Sequence, residues 1–314
     1  MLIERLESYY RAKAEERNAQ PQAWARASAL GMCARRLGYM KLGVIGEPLT
    51  PRRFSIFNHG DVADMLLKDD LAKALGGGLI TSGHRGSVMI EGVEVTGECD
   101  GFFNINNRYG VVDFKSMADY SFDLACKGEI DETYAVQGYI YSLIYEVDIV
   151  VFVCLRKETS HLVEVIFDKQ ATELITTRRY GGDEREIQVN DPLLIAEVRS
   201  PFDVGIAEKV KTTILQLVQC DSPNTLPDGV NAIEAETIKV QGAEKAKAKA
   251  VELGLNFEEA VKSGSWFGMA TGRKILGFPC GGYCPFMRQC FPQIKLEIEG
   301  GRPKWVIEGP AKGG

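Results

Sequence analysis

The sequence predicts an α/β protein in which a mixed central β-sheet is flanked by helices. In the stretch 95–116, VTGECDGFFNINNRYGVVDFKS, two β-type runs enclose the Asn-rich segment 104–107, a pattern typical of a hairpin. Two more strand-like runs, 149–155 and 162–167, should extend the same sheet. Helical patterns precede and follow the hairpin. With 314 residues and 45% hydrophobic content, the chain can form a large core, and we expect one domain over 1–314.

Before the hairpin, we expect three helices. The first is amphipathic and covers 2–17, and the second runs from Ser28 towards Gly43. The third runs from Phe57 to Leu75 and is ended by a run of three glycines.

After the hairpin, a helix is predicted over 129–145, and another begins at Lys169 and ends in the segment 178–180, Arg-Arg-Tyr. A basic pair beside an aromatic ring suits phosphate binding and base stacking. It suits a solvated helix end equally well.

The overall charge neither supports nor excludes a nucleic-acid partner. The net charge is −6, so contact with DNA would have to come from a local basic patch. No run of about 18 apolar residues is present, and the N-terminal segment has the pattern of a charged helix rather than a signal peptide. We therefore expect a cytoplasmic protein with no membrane partner.

Two carboxylates and a lysine are predicted to converge at the hairpin. Asp113 and Lys115 lie on one face of the second strand because strand side chains alternate in direction, and Asp100 can meet them from the first strand. Carboxylate oxygens suit hard divalent cations such as Mg²⁺, and a nearby lysine can orient water or phosphate. The alternative is an ordinary exposed ion pair between Asp113 and Lys115.

The spacing Gly97-x-x-Asp100, followed by Asp113-Phe114-Lys115, resembles the signature of the PD-(D/E)XK nuclease superfamily in the form found in RecB-type nuclease domains. The resemblance implies a restriction-endonuclease-like fold and DNA cleavage that depends on Mg²⁺ or Mn²⁺. In this reading Asp100, Asp113 and the backbone carbonyl of Phe114 bind the ion, and Lys115 positions or deprotonates the attacking water.

Asp64 is the expected third acidic ligand. It follows Gly60 by four residues on the third predicted helix, the spacing of the first motif in RecB-type nucleases, although aspartate replaces the usual His or Glu. His59 or Asp61 could supply the ligand instead. All three residues also fit simple polar positions near a helix N-terminus.

Gln137 and Tyr141 share one face of the helix after the hairpin because they are one turn apart. They resemble the Q-x-x-x-Y motif of the RecB and CRISPR-associated branches. The resemblance implies that they contact the substrate strand or the catalytic water.

The eight cysteines divide into two groups. In an intracellular protein they are better interpreted as ligands or buried thiols than as disulfides. Cys33 lies in C-x-R-R-L-x-Y, which resembles the N-terminal motif of iron–sulfur exonucleases associated with CRISPR adaptation, and Cys280, Cys284 and Cys290 crowd together near the end. The resemblance implies a [4Fe-4S] cluster on these four residues, with structural Zn²⁺ or free thiols as alternatives. We expect the others to be structural: Cys99, Cys126, Cys154 and Cys220.

The remaining segments are less informative. We expect 181–272 to be a helical insertion and 273–314 to hold the cysteine cluster and tail. Lysines 245, 247 and 249 could form a DNA patch, but alternating Lys and Ala more often marks a solvated helix.

Taken together, the motifs predict a metal-dependent exonuclease acting on DNA with single-stranded ends. The alternatives are a structure-specific endonuclease and a non-catalytic DNA-binding scaffold. The resemblance also implies a prokaryotic or phage-encoded protein with protein partners in recombination, replication or CRISPR adaptation.

Overall fold

The computed structural model describes residues 2–18, 22–76, 79–80, 84–105, 107–178, 193–227, 233–241, 243–253, 261–263, 266–276, 284–290, 294–299 and 302–307. The chain divides into two compact units, Met1–Asp228 and Gly229–Gly314. This division differs from the single domain expected from the sequence. Among the described residues, each unit has its own β-sheet.

The first unit is α/β. Its helices are α1 (Leu2–Asn18), α2 (Ala34–Lys41), α3 (Pro51–Ala74), α4 (Asp119–Ala125), α5 (Glu132–Ile144) and α6 (Val204–Val218). Its strands are β1 (Leu79–Ile80), β2 (His84–Ile90), β3 (Val93–Cys99), β4 (Gly101–Ile105), β5 (Arg108–Met117), β6 (Ile149–Arg156), β7 (Leu162–Asp168), β8 (Ile175–Arg178) and β9 (Leu194–Ser200).

The main sheet has seven strands in the order β1-β4-β5-β6-β7-β9-β8. The pairs β5–β6 and β7–β9 are parallel and the other neighbours are antiparallel, so the prediction of a mixed sheet in an α/β fold is confirmed. Strands β2 and β3 form a separate antiparallel hairpin.

Helices cover both faces of the central strands. On one face, the α3 residues Leu67, Leu71 and Leu75 pack against a cluster that includes Val112 and Phe114. On the other face lies α5, where Tyr134 stacks on Phe152 of β6 with ring centroids 5.6 Å apart. Burial on both sides explains why β6 is almost continuously apolar, and it makes the polar side chains within β5 conspicuous.

Several predicted boundaries change. Helix α3 begins at Pro51 rather than Phe57, because Thr50 caps it by accepting a hydrogen bond from the backbone N–H of Arg53 at 3.3 Å. Helix α2 begins only at Ala34. Within α3, Leu66 is exposed.

The helix predicted from Lys169 is wrong. Residues Ile175–Arg178 form strand β8, which pairs antiparallel with β9 at the sheet edge. Three consecutive β-branched residues favour the strand. Arg179 and Tyr180 of the basic-aromatic segment lie outside the described residues.

The prediction of a helical insertion over 181–272 is also wrong in part. It does contain α6, but β9 from this segment belongs to the main sheet. In addition, three strands of the second unit's sheet begin before residue 272.

In the part of the second unit that the structure describes, a small sheet is accompanied by two short helices. Its elements are β10 (Ile233–Gln241), α7 (Ala243–Leu253), β11 (Val261–Ser263), β12 (Trp266–Leu276), α8 (Met287–Cys290), β13 (Ile294–Glu299) and β14 (Arg302–Ile307). In α7, Ala246 and Ala250 are buried, whereas Lys245 and Lys247 are exposed. This favours the interpretation of the lysines as a solvated helix face.

Among the described residues, no helix is long and apolar enough to cross a membrane.

Candidate active site

Asp113 is the most deeply buried acidic residue of the site. It lies on the α5 side of β5 and is 4% exposed. Its Oδ1 accepts hydrogen bonds from the Tyr141 hydroxyl at 3.0 Å and from Gln137 Nε2 at 3.3 Å. Burial raises the pKa of Asp113, and the Lys115 ammonium opposes that rise. The carboxylate is therefore held in place at an electrostatic cost.

Asp100 lies between β3 and β4, where the chain passes from the hairpin into the main sheet. Its backbone N–H donates to the Val112 carbonyl at 3.1 Å, and its Oδ2 accepts from the Phe114 N–H at 2.7 Å. β4 begins only at Gly101, so beyond Val112 the Asp100 side chain takes the place of a neighbouring strand. The prediction that Asp100 meets β5 therefore agrees with the geometry.

Phe114 contributes through its backbone. In a strand, the N–H and C=O of one residue point to the same side, so the Phe114 carbonyl points to the edge where Asp100 binds its N–H. This is the orientation that a carbonyl ligand of a shared ion requires. The Phe114 ring itself is buried in the core on the α3 face.

Lys115 follows Asp113 on the same face of β5, and its ammonium contacts Asp113 Oδ2. The ammonium lies 5.7 Å from the ring centroids of both Tyr134 and Phe152, which favour a cation above their faces. Burial opposes the charged form, but the Asp113 carboxylate outweighs it and raises the pKa of Lys115. The residue is therefore a charged ammonium at neutral pH, which suits positioning of water or phosphate rather than proton abstraction.

Asp64 faces this group from helix α3. At Gly60, one turn earlier, a Cβ atom would lie 3.0 Å from Ser116 Oγ, so the absence of a side chain lets α3 approach β5 closely. Burial, and then the charge of Asp100, raises the pKa of Asp64 to about 6. Asp64 Oδ1 is buried and has no hydrogen-bond partner among the described residues. Of the alternatives, His59 and Asp61 are both exposed.

Gln137 and Tyr141 contact Asp113 from helix α5. Both side chains are buried, and Gln137 Nε2 donates to the Tyr141 hydroxyl at 2.7 Å. That hydroxyl is also 2.7 Å from the Glu98 carbonyl. Burial raises the pKa of Tyr141, which keeps the hydroxyl neutral and able to donate. Both side chains therefore contact Asp113.

Gly97 fixes the spacing of this arrangement. A Cβ there would lie 3.1 Å from Tyr141 Cε1 and 2.7 Å from Ile144 Cδ1. The absence of a side chain therefore lets β3 sit directly on α5, which carries Tyr141 to Asp113.

Lys68 is a residue of the site that the sequence interpretation missed. Its ammonium lies 2.6 Å from Asp100 Oδ1, and it shares a helix face with Asp64 because the two are one turn apart. The i,i+4 spacing was the only signal available. A cavity of about 510 Å³ opens at this point, lined by Asp61, Asp64, Met65, Lys68, Asp69 and Asp100.

The donor set fits a hard divalent cation in its chemistry. Asp64 Oδ1 and Asp113 Oδ2 are buried oxygens without a hydrogen bond of good geometry, although the Lys115 ammonium contacts the latter. Within the described ranges, no three His, Cys, Asp or Glu side chains are spaced closely enough to hold an ion as they stand. The two lysine ammonium groups explain this, because they now pair with Asp100 and Asp113.

The predicted cluster ligands are distributed over both units. Cys33 precedes α2 in the first unit, while Cys284 and Cys290 lie around α8 in the second. All three are half-buried, and Cys280 falls outside the described residues. Of the cysteines expected to be structural, Cys126 is half-buried and the others are buried: Cys99, Cys154 and Cys220.

Comparison with known proteins gives little further information. No protein-family model matches the sequence. No curated protein matches it either. Among solved structures, the crystal structure of SSO0001 is similar over 71% of this chain and 88% of that chain, with 14% sequence identity and a TM-score of 0.40.

Proposed function

We propose that this protein is a metal-dependent DNA nuclease. The observation that carries the proposal is that Asp64 and Asp100 line one cavity and that the charges of Asp100 and Asp113 both act on Asp64, with a buried oxygen on Asp64 and on Asp113 that lacks a well-formed hydrogen bond. Burying carboxylates together is unfavourable unless a cation compensates them. A divalent ion would remove this cost.

In this proposal Asp64, Asp100, Asp113 and the Phe114 carbonyl would hold Mg²⁺ or Mn²⁺. The ion supplies polarisation of the scissile phosphate and of an attacking water. Lys115 holds that water or a phosphate oxygen with its ammonium, since its raised pKa keeps it charged. Gln137 and Tyr141 fix the Asp113 carboxylate through its Oδ1, and the ion would share Oδ2 with the Lys115 ammonium that contacts it.

The finer part of the proposal is an exonuclease acting on DNA with single-stranded ends. It is supported by the RecB-type spacing of Gly97, Asp100, Asp113 and Lys115. Cys33, Cys280, Cys284 and Cys290 would hold a [4Fe-4S] cluster in the same protein. Three neighbouring carboxylates that two ammonium groups compensate only in part argue for catalysis over a purely scaffolding role.

The decisive experiment compares linear, end-blocked and circular DNA incubated with the protein and Mg²⁺ or Mn²⁺. An exonuclease degrades only the substrate with a free end, whereas an endonuclease also cuts the circle. Asp113→Asn should abolish cleavage without weakening DNA binding measured in EDTA, because a carboxylate repels phosphate rather than attracting it. Asp148→Asn, at an exposed aspartate paired with Lys169, is the matched control and should be fully active. Full activity of Asp113→Asn in Mn²⁺ would contradict the proposal.

A further inference from the structure

One face of helix α3 continues past the acidic residues to an aromatic ring. Phe57, Asp61, Asp64 and Lys68 recur at intervals of four, three and four residues, so they share one helix face. Phe57 lies two turns before Asp64, which corresponds to about 10 Å along the helix axis. The ring is 42% exposed.

A guanidinium group from another helix lies near this ring. Arg17, at the end of α1, places its Cζ 6.0 Å from the centroid of the Phe57 ring. The contact is held by packing of α1 on α3, where the rings of Tyr10 and Phe54 are 5.7 Å apart. Arg17 is exposed. An exposed aromatic ring beside an arginine offers both a stacking surface and a phosphate contact.

A second arginine, Arg26, lies close enough for its charge to act on that of Arg17. Arg26 is fixed by its backbone to β3, since the Ala27 N–H donates to the Thr96 carbonyl at 2.8 Å and the Thr96 N–H donates to the Ala25 carbonyl at 3.1 Å. Its Nε is buried and has no hydrogen-bond partner among the described residues. Burial lowers the pKa of Arg26, and the charges of Arg36 and Arg17 lower it further. Mutually repelling guanidinium groups attract an anion.

We propose that Phe57, Arg17 and Arg26 form a nucleotide-binding subsite for single-stranded DNA. A base stacks on Phe57, and the flanking phosphate is bound by Arg17 and Arg26. The inference rests on the proposed nuclease function, because a nucleotide bound two helical turns from Asp64 matters for cleavage only if Asp64 belongs to the active site. The strand then runs along α3 from the stacked base to the acidic residues.

The test measures binding without cleavage. Fluorescence anisotropy with a labelled single-stranded oligonucleotide, in EDTA, reports affinity for the wild type and for Phe57→Leu and Arg17→Gln. Loss of one stacked base should weaken binding by about fivefold or more. Arg17→Gln should weaken binding and reduce the dependence of log K on log salt by about 0.7. Tyr109→Leu is the control, because Tyr109 is an exposed aromatic residue near the opposite end of β5 from Asp113 and Lys115.

A substrate of abasic nucleotides separates the two contacts. It keeps the phosphates and lacks the bases, so the effect of Phe57→Leu should vanish while that of Arg17→Gln remains. Unchanged affinity in both variants would overturn the subsite. A change in oligomeric state for Phe57→Leu, with unchanged DNA affinity, would show that the ring contacts protein instead and would also overturn it. Since cleavage is not measured, failure of the subsite is separate from failure of Asp113→Asn to lose activity.

Discussion

Replacing Asp64 with Asn tests whether the acidic residues are held together at an energetic cost. The pKa of Asp64 is raised from 3.8 to about 6, a shift of about two units. At about 1.36 kcal/mol per unit, this would correspond to about 3 kcal/mol. Asp64 is only partly buried, and solvent screening reduces this figure. We therefore expect Asp64→Asn to stabilise the metal-free protein by about 1–2 kcal/mol at pH 8.

The pH dependence of stability tests the direction of this effect. The folded protein holds the Asp64 proton more tightly than the unfolded chain, so the stability cost is absent below about pH 4 and complete above about pH 6. Asp64→Asn should therefore stabilise at pH 8 and have little effect at pH 4. Asp61→Asn, an exposed residue lining the same cavity, should change stability at neither pH.

Urea unfolding monitored by circular dichroism measures the stability cost of the Asp64 charge in EDTA and the stabilisation by the bound ion in Mn²⁺. A bound ion at a hundredfold excess over its Kd stabilises the wild type by about 2.7 kcal/mol, and Asp64→Asn should lose most of that gain. The variant is then more stable than the wild type in EDTA and less stable in Mn²⁺. If it is destabilised in EDTA at pH 8, the carboxylate is satisfied in the folded protein and the reasoning fails.

Two further predictions concern groups that compete with or accompany the ion. Lys68→Met should bind Mn²⁺ several times more tightly, because the ammonium on Asp100 Oδ1 no longer competes; unchanged affinity in calorimetry would remove Lys68 from the site. Protein purified without air should be brown with broad absorption near about 400 nm, and Cys33→Ala should lose colour and thermal stability. A colourless protein with one equivalent of zinc would favour the zinc alternative.

The convergence of Asp100 with Asp113 and Lys115 could be predicted because it depends on local geometry. Asp113 and Lys115 are two residues apart on one strand, and the turn brings Asp100 back to them whatever the rest of the fold does. The sequence pattern did not indicate that the regular backbone pairing of β4 with β5 ends at Asp100. The side chain of Asp100, and not a further residue of β4, binds the Phe114 N–H.

Contacts between distant elements could not be predicted in the same way. The Gln137–Tyr141 spacing gives one face of a helix, but only the packing of α5 against β3 and β5 decides that this face meets Asp113. Lys68 depends likewise on the close approach of α3 to β5 at Gly60. At β8, β-branched residues and a strand partner outweighed the helical pattern expected from Lys169 onwards.

The balance of charge at the site links ion binding to DNA binding. With all groups ionised, three carboxylates (Asp64, Asp100 and Asp113) face two ammonium groups (Lys68 and Lys115), so the metal-free site is negative by one charge and repels a phosphate. A divalent ion would reverse that sign and would compete with Lys68 for Asp100, which would release the ammonium. The released ammonium then adds to the attraction for phosphate. In the proposed enzyme, binding of the ion should therefore precede tight binding of the scissile phosphate, while Arg17 and Phe57 hold the neighbouring nucleotide without it.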